Sequence, residues 1–391
     1  MALGGPGGSL SPEPESGTME VVETGFVSRG GAGTDRAVLG FPSVTAVEGG
    51  DLLATCRAGS TKDSADETVE LYSSRDGGRG WRLVRRLAAP RVGGRAGSLK
   101  LCHLSEVAPG RLLGAALWVD RETYPGQPLF NQETEGCLPM AVLLAECNGA
   151  GGRWREWRPV PLPDEIGPPS LTSPVLKLAD GRLVLSIETN KQYFDRSKWR
   201  QRVVLFHSRD AGRSWTGPTV AGEDPAGRIF NWDQRAAVAP DGRLAAFVWT
   251  YDSEICRYLD VHRRLSSDGG ASWSTAEPLG FADQPSRPAI LPDGRVVLAW
   301  VDRFGSRSIR ARQAASVDAP FDPATEVVLY RHESAPAPAI SDTGSLLADM
   351  SLWSFGLPFA EALPDGDVLV VYYAGTPQVM DVRWARLRPS A

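Results

Sequence analysis

The sequence predicts an all-β chain folded as a six-bladed β-propeller of four-stranded antiparallel blades. Three observations carry that prediction: a Ser-x-Asp-x-Gly-x-x-Trp segment that recurs, a tight glycine turn before an apolar run that recurs more often, and the interleaving of the two in phase. At 391 residues, length alone would suggest two or three domains of roughly 150 residues. Repeated units that stack on one another instead grow as one body.

The first repeat has three clean copies: Ser74-Arg75-Asp76-Gly77-Gly78-Arg79-Gly80-Trp81, then Ser208 to Trp215, then Ser266 to Trp273. Each follows a strand-like run (TVELYS, RVVLFHS, VHRRLS) and precedes a shorter polar–apolar stretch. The residue types suit a hairpin turn: Asp bonds the turn backbone, Gly takes a positive φ, and Trp folds back over the turn. A buried ring of that size contributes ~2–3 kcal/mol. An eroded copy runs from Cys147 through Asn148 and Gly149 to Trp154.

The second repeat is a turn feeding an apolar strand, at Gly49-Gly50-Asp51, Pro109-Gly110-Arg111, Asp180-Gly181-Arg182, Pro240-Asp241-Gly242-Arg243, Pro292-Asp293-Gly294-Arg295 and Pro364-Asp365-Gly366-Asp367. Asp-Gly between apolar runs is a strong hairpin signal. Six such turns, in register with the first repeat, describe six blades, and radial repetition leaves few exposed strand edges. To close the ring, the last repeat supplies two clear strands and a third near Val379–Arg388. Its fourth is expected from Met19–Ser28 at the start of the chain. Residues 1–18, rich in Gly, Pro and Ser, are expected to be a disordered tail, and residues 19–391 a single propeller domain.

Composition excludes several classes of function. The net charge of −5, with no concentrated basic face, speaks against a nucleic-acid partner. No apolar run reaches the roughly 20 residues that span a bilayer. The N-terminal stretch has neither a basic nor an apolar signal region, so a cytoplasmic protein is expected unless the chain was trimmed. Five cysteines without a CxxC pair, four scattered histidines, and no HExxH or EF-hand loop give no metal site. No cofactor is expected, and the oligomeric state is left open.

The Ser-x-Asp-x-Gly-x-x-Trp turn resembles the Asp box, or BNR repeat, of the sialidase (neuraminidase) superfamily, and the resemblance spans roughly residues 19 to 388. It implies that these turns lie on the face away from the active site. The site would then sit over the central axis, where first strands begin and second strands end. Counting strands on that geometry places Arg57, Asp120-Arg121-Glu122, Glu188, Tyr251-Asp252, Asp302-Arg303 and Tyr372-Tyr373 at second-strand ends. First-strand starts give Phe41-Pro42, Arg95, Ser170, Asn231 to Arg235, Asp283-Gln284 with Arg287, and Trp353 to Phe355. Loops on the same face add Lys62, Asp63, Asp66, Glu67, Tyr124 and Tyr193.

From this set the expected catalytic residues are Asp63, Glu188, Asp233 and Tyr251, and the expected substrate-binding residues are Arg57, Arg121, Arg235, Arg287, Asp302 and Arg303. Arginines grip carboxylates in a bidentate fashion, acids move protons, and rings stack on sugar faces. Glu188, at the exit of the apolar run LVLSI, is the carboxylate whose burial would raise its pKa. The resemblance implies an exo-acting hydrolase on an acidic or sialic-acid-like glycan terminus. Its arginine triad and tyrosine nucleophile are only partly matched: Leu39-Gly40-Phe41-Pro42 stands where an aromatic-Arg-Ile-Pro motif is expected, and no tyrosine lies near Trp353–Phe355. A polysaccharide lyase and a non-catalytic glycan-binding propeller therefore stand as alternatives.

Overall fold

The computed structural model describes residues 18–149, 152–333 and 342–390. The tail expected over residues 1–18 lies, but for Thr18, outside them. In chain order the strands are β1 (Glu20–Ser28), β2 (Val38–Ala46), β3 (Leu52–Gly59), β4 (Thr68–Ser74), β5 (Arg82–Leu87), β6 (Gly97–Ala108), β7 (Arg111–Asp120), β8 (Met140–Asn148) and β9 (Arg158–Pro159). They continue with β10 (Leu176–Lys177), β11 (Leu183–Glu188), β12 (Arg202–Ser208), β13 (Thr216–Glu223), β14 (Ile229–Val238), β15 (Leu244–Asp252), β16 (Arg257–Ser266) and β17 (Glu277–Pro278). The last are β18 (Gln284–Pro285), β19 (Ala289–Ile290), β20 (Val296–Asp302), β21 (Ser308–Ala314) and β22 (Phe321–Arg331), a short helix α1 (Thr343–Asp349), then β23 (Phe355–Ala362), β24 (Val368–Thr376) and β25 (Val379–Arg388).

These strands form a propeller of four-stranded antiparallel blades. Sheets β6–β9, β10–β13 and β14–β17 each run in sequence order. In the next sheet β18 and β19 both pair with β20, so a broken strand fills the first position. The remaining sheet has eight strands: β23-β24-β25 with β1 along its side, then β2-β3-β4-β5. Its two halves meet at one parallel pair, Val38 with Met380. The ring closes as the sequence predicts, since Glu20–Ser28 runs antiparallel to β25 with Glu20 opposite Arg388.

The core lies between successive sheets. Val142 and Leu144 of one pack on Leu185 and Val204 of the next. Val203 and Leu205 in turn meet Ala236 and Ala246, and Phe247 meets Leu298 and Trp300. All six glycine turns join first to second strands. The three Ser-x-Asp turns join third to fourth strands, which in an antiparallel blade places them at the same end of the ring. Their hydrogen bonds repeat: Ser74 Oγ donates to Asp76, the Gly78 amide to Ser74 Oγ, and the Gly80 amide to Asp76, with equivalents around Asp210 and Asp268. Trp81, Trp215 and Trp273 are half-buried against the neighbouring core clusters.

The eroded copy at Cys147 to Trp154 falls partly outside the described residues; a bridge joins its ends and the Gly152 amide donates to the Gly149 carbonyl. A better fourth copy is Ser316-Val317-Asp318, where Ser316 Oγ donates to Asp318 ahead of Phe321. Pro320 at the glycine position and Pro323 at the tryptophan position hid it from a pattern that required both Gly and Trp.

At the opposite end the innermost strands are irregular. Register shifts fall between Gly40 and Ser43, Leu99 and Leu101, Trp232 and Arg235, and Gly356 and Phe359. Phe41, Asp233 and Leu357 take positive φ values of 50, 49 and 45°. Bulges break the pleat's alternation and re-aim a side chain. Left-handed backbone at a bulky residue is strained and concentrates at functional sites. Here all three residues turn toward one cavity.

Candidate active site

That cavity sits over the axis at the end away from the Ser-x-Asp turns and has a volume of about 330 Å³. Its walls include Phe41, Phe130, Trp199, Trp232, Trp249 and Trp353, and residues after α1 such as Met350 cover one side. Into this apolar vessel project a few polar groups, the usual composition of a small-molecule site.

Glu188 ends β11 and is 5 % exposed. Its Oε1 accepts from Thr172 Oγ1 at 3.0 Å and from the Gln234 amide at 2.9 Å. Burial, and then the negative charge of Asp233, push its carboxyl up to about 8. Asp233, on the β14 bulge, accepts from Gln284 Nε2 at 2.6 Å and pairs with Arg235 at 3.4 Å. Arg235 also donates to the Thr172 carbonyl. Two carboxylates thus face one space with different surroundings, one short of positive partners and the other held by a guanidinium and an amide. Separated environments of this kind mark acid and base assignments.

On the other side Asp63 accepts from Lys100 Nζ at 3.2 Å, Arg121 Nη2 at 2.7 Å and the Leu129 amide at 2.7 Å. Lys100 and Arg121 hold its carboxyl well below the usual range despite burial. Asp63 is therefore built to stay an anion. Lys62 Nζ donates to the carbonyls of Met350 (2.7 Å) and Trp353 (2.6 Å) and approaches the Tyr373 hydroxyl at 3.1 Å. Burial, and then the charge of Arg303, lower its pKa. Tyr373 is the tyrosine that the structure does bring to the cavity, with burial pushing its hydroxyl up to about 12.

Of the ten expected site residues, Asp63, Glu188, Asp233 and Arg235 line the cavity; the other six do not. Arg57 has no exposed surface and pairs with Glu67. Arg121 lies behind Asp63, bound to it and to Glu67. Arg287 pairs with Glu361 beneath the Phe359 ring. Arg303 donates to the Phe355 carbonyl at 2.6 Å, with its guanidinium 4.0 Å from the Trp353 ring centroid. Asp302 caps its own loop, accepting from the Gly305 and Ser306 amides. Tyr251 is fully buried, stacked on Trp232 at 5.1 Å. Successive strand residues face opposite ways, so a residue at a strand end can turn to a neighbouring blade, as Arg287 and Arg303 do, or to its own loop, as Arg57 and Asp302 do, instead of to the axis.

Sequence reasoning missed Lys100, His103, Trp199 and Trp249, all of which line the cavity. A signal existed for two of them. Lys100 and His103 interrupt the apolar run SLKLCHL, and a charged or polar residue inside a buried strand marks a site or a paired group. Among the described residues no group of three or more His, Cys, Asp or Glu is arranged to hold a metal ion. No helix there is long and apolar enough to cross a membrane.

No family model matches the chain, and no curated protein matches it in sequence. Solved structures do match in fold. A Dyadobacter fermentans protein of unknown function aligns at TM-score 0.73 and 18% identity, over 95% of this chain and 99% of that one. A Penicillium chrysogenum α-L-arabinanase complexed with arabinobiose aligns at 0.63 and 15%, over 95% and 98%. The intramolecular trans-sialidase of Ruminococcus gnavus aligns at 0.62 and 13%, over 93% and 96%. At such identities the likeness is one of architecture, and the chain has a β-propeller fold similar to that of the sialidases and of an arabinanase.

Proposed function

We propose that this chain is a glycoside hydrolase acting at the end of a glycan, on a six-bladed, single-domain propeller in which the eight-stranded sheet counts as two blades. The observation that carries the reading is the pair formed by buried Glu188 and half-buried Asp233 in the cavity lining. With its pKa raised by burial and by Asp233, Glu188 keeps a proton near neutral pH and gives it to the glycosidic oxygen as the bond to the anomeric carbon breaks. Asp233 faces the positive charge that develops at that carbon, and water completes the hydrolysis. A cavity of about 330 Å³ closed by a wall of tryptophans suits one terminal unit better than an open chain does. The three Ser-x-Asp turns act as Asp boxes, stabilising the far face without touching substrate.

The test is a panel of aryl glycosides with wild type, Glu188→Gln and Asp233→Asn. Turnover by wild type, lost in both variants, supports the hydrolase. An unsaturated, ultraviolet-absorbing product would assign a lyase instead. Binding without turnover by wild type would assign a glycan-binding propeller.

A further inference from the structure

We propose that the cavity takes an uncharged, hydroxyl-bearing sugar ring, and that His103 on its floor reads one of the hydroxyls. The inference rests on the reading of the cavity as a sugar site and names the class of sugar. It stands on an unanswered side chain and on the protein acceptors that already engage Lys62, Lys100 and Arg235, the cations that line the cavity.

His103 lies on β6, 3 % exposed, and lines the cavity. Neither ring nitrogen has a hydrogen-bond partner among the described residues. Buried polar atoms are rarely left so, and an unmet pair beside a cavity points to a ligand. The ring is fixed by stacking on Phe359, centroids 5.7 Å apart and planes 24° from parallel. Burial, followed by the charges of Arg235 and Arg287, pushes the imidazole down to about 3. It stays neutral, with one N–H donor and one acceptor. A sugar hydroxyl can accept from the N–H or donate to the bare nitrogen, whereas a carboxylate can answer only the N–H.

The cations tell the same story. Lys100 is bound to Asp63, Glu67 and the Lys62 carbonyl. Arg235 is shared between Asp233 and the Thr172 carbonyl. Lys62 is directed at two carbonyls and the Tyr373 hydroxyl. Arg57 and Arg121 pair with Glu67 and Arg287 with Glu361, carboxylates outside the cavity lining, and Arg121 also holds Asp63 from behind. Among the described residues the buried Nε of Arg235, Arg287 and Arg303 lacks a partner, but of these arginines only Arg235 lines the cavity, and both of its terminal nitrogens are already bonded, which leaves no open bidentate fork for a substrate carboxylate. Asp63, Glu188 and Asp233 meanwhile present three carboxyl groups to the same space, which would disfavour an acidic sugar.

The test uses the full chain and four probes: the methyl glycosides of galactose and arabinose, glucuronic acid, and N-acetylneuraminic acid. Binding is read by calorimetry on Glu188→Gln protein, which holds a glycoside without cleaving it. Neutral glycosides are expected to bind, and the two acids to bind at least tenfold more weakly. Adding His103→Ala is expected to weaken neutral-sugar binding about tenfold, the loss of one hydrogen-bonded hydroxyl. The isosteric His103→Asn should restore part of it. Thermal melts separate a collapsed variant from a folded one, and if His103→Ala fails to fold, His103→Asn and singly deoxygenated glycosides decide. One deoxy sugar should bind wild type and His103→Asn alike.

In otherwise wild-type protein, His103→Ala should raise KM for aryl glycosides while kcat changes less than threefold. Preference for either acid, absence of binding by all four probes, or a His103→Ala protein that binds neutral sugars as before would overturn the proposal. The hydrolase reading fails separately: full turnover by Glu188→Gln removes it and leaves the binding comparison to stand by itself.

Discussion

The two ends of the ring are built by different rules. At the turn end, Asp76, Asp210 and Asp268 meet partners within four residues of themselves, and the same bonds repeat from blade to blade. At the cavity end, the partners come from far along the chain. Glu188 meets the Gln234 amide, Asp233 meets Gln284, Asp63 meets Arg121, and Lys62 reaches the Trp353 carbonyl across 291 positions. Each blade brings something different. Repetition supplies the scaffold, and departures from it supply the chemistry: a bulge at Asp233, a lysine and a histidine inside β6, and a broken first strand where Gln284 sits.

That contrast can be broken at the cavity first. Glu188→Gln is expected to cost about 10²- to 10⁴-fold in kcat, the range a positioned general acid supplies, while the melting temperature holds or rises. Steady-state kinetics on a cleavable aryl glycoside beside a thermal melt would check it; full activity would remove Glu188 from the chemistry.

Next is pH. If the proton of Glu188 is the one transferred, kcat should fall about tenfold per unit as pH rises above about 8. Asp233→Asn removes a charge that raises Glu188, so in whatever activity survives the falling limb should move to lower pH. A pH–rate profile of both proteins sharpens the assignment, and an unmoved limb argues against their coupling. Stability should follow the same group with a defined sign. A carboxyl whose pKa is raised on folding stabilises fully while protonated in both states, and that contribution is lost as pH rises through its folded value. Wild type should therefore lose stability between the ordinary carboxyl range and about 8, with a shallower slope in Glu188→Gln, as denaturant titrations at several pH values would show.

The smallest expected effect lies at the turn end. Ser74→Ala removes the acceptor of the Gly78 amide and a donor to Asp76, and should cost about 1 kcal/mol. Gly78→Ala should cost more. Its φ is 91°, and a Cβ there would lie 2.9 Å from Leu369, so strain of roughly 1–3 kcal/mol is expected. Both are read from denaturation midpoints, with kcat and KM unchanged. A kinetic effect of either would show that the two ends are mechanically linked.

The legible part of the molecule was the local part. A Ser-Arg-Asp-Gly-Gly-Arg-Gly-Trp stretch carries its own turn, because the bonds that hold it close within the segment. Six glycine turns, the strands between them, and the pairing of Met19–Ser28 with Val379–Arg388 follow from pattern and from the need to leave no open edge. Glu188 was legible as a carboxylate at the exit of the apolar run LVLSI, while its burial was settled by packing, since Asp302 at the equivalent strand end stays half-buried.

The tertiary structure alone decided which charges remain available. Arg57, Arg121, Arg287 and Arg303 occupy the expected ends of their strands. Whether such a side chain faces the axis or a neighbouring blade depends on bulges and on distant carboxylates such as Glu67 and Glu361. An ion pair satisfies an arginine wherever its partner lies in sequence, and no local spacing records that choice. For the same reason His103 read as one scattered histidine, until the ring closed around it and left both of its nitrogens without a partner beside the cavity.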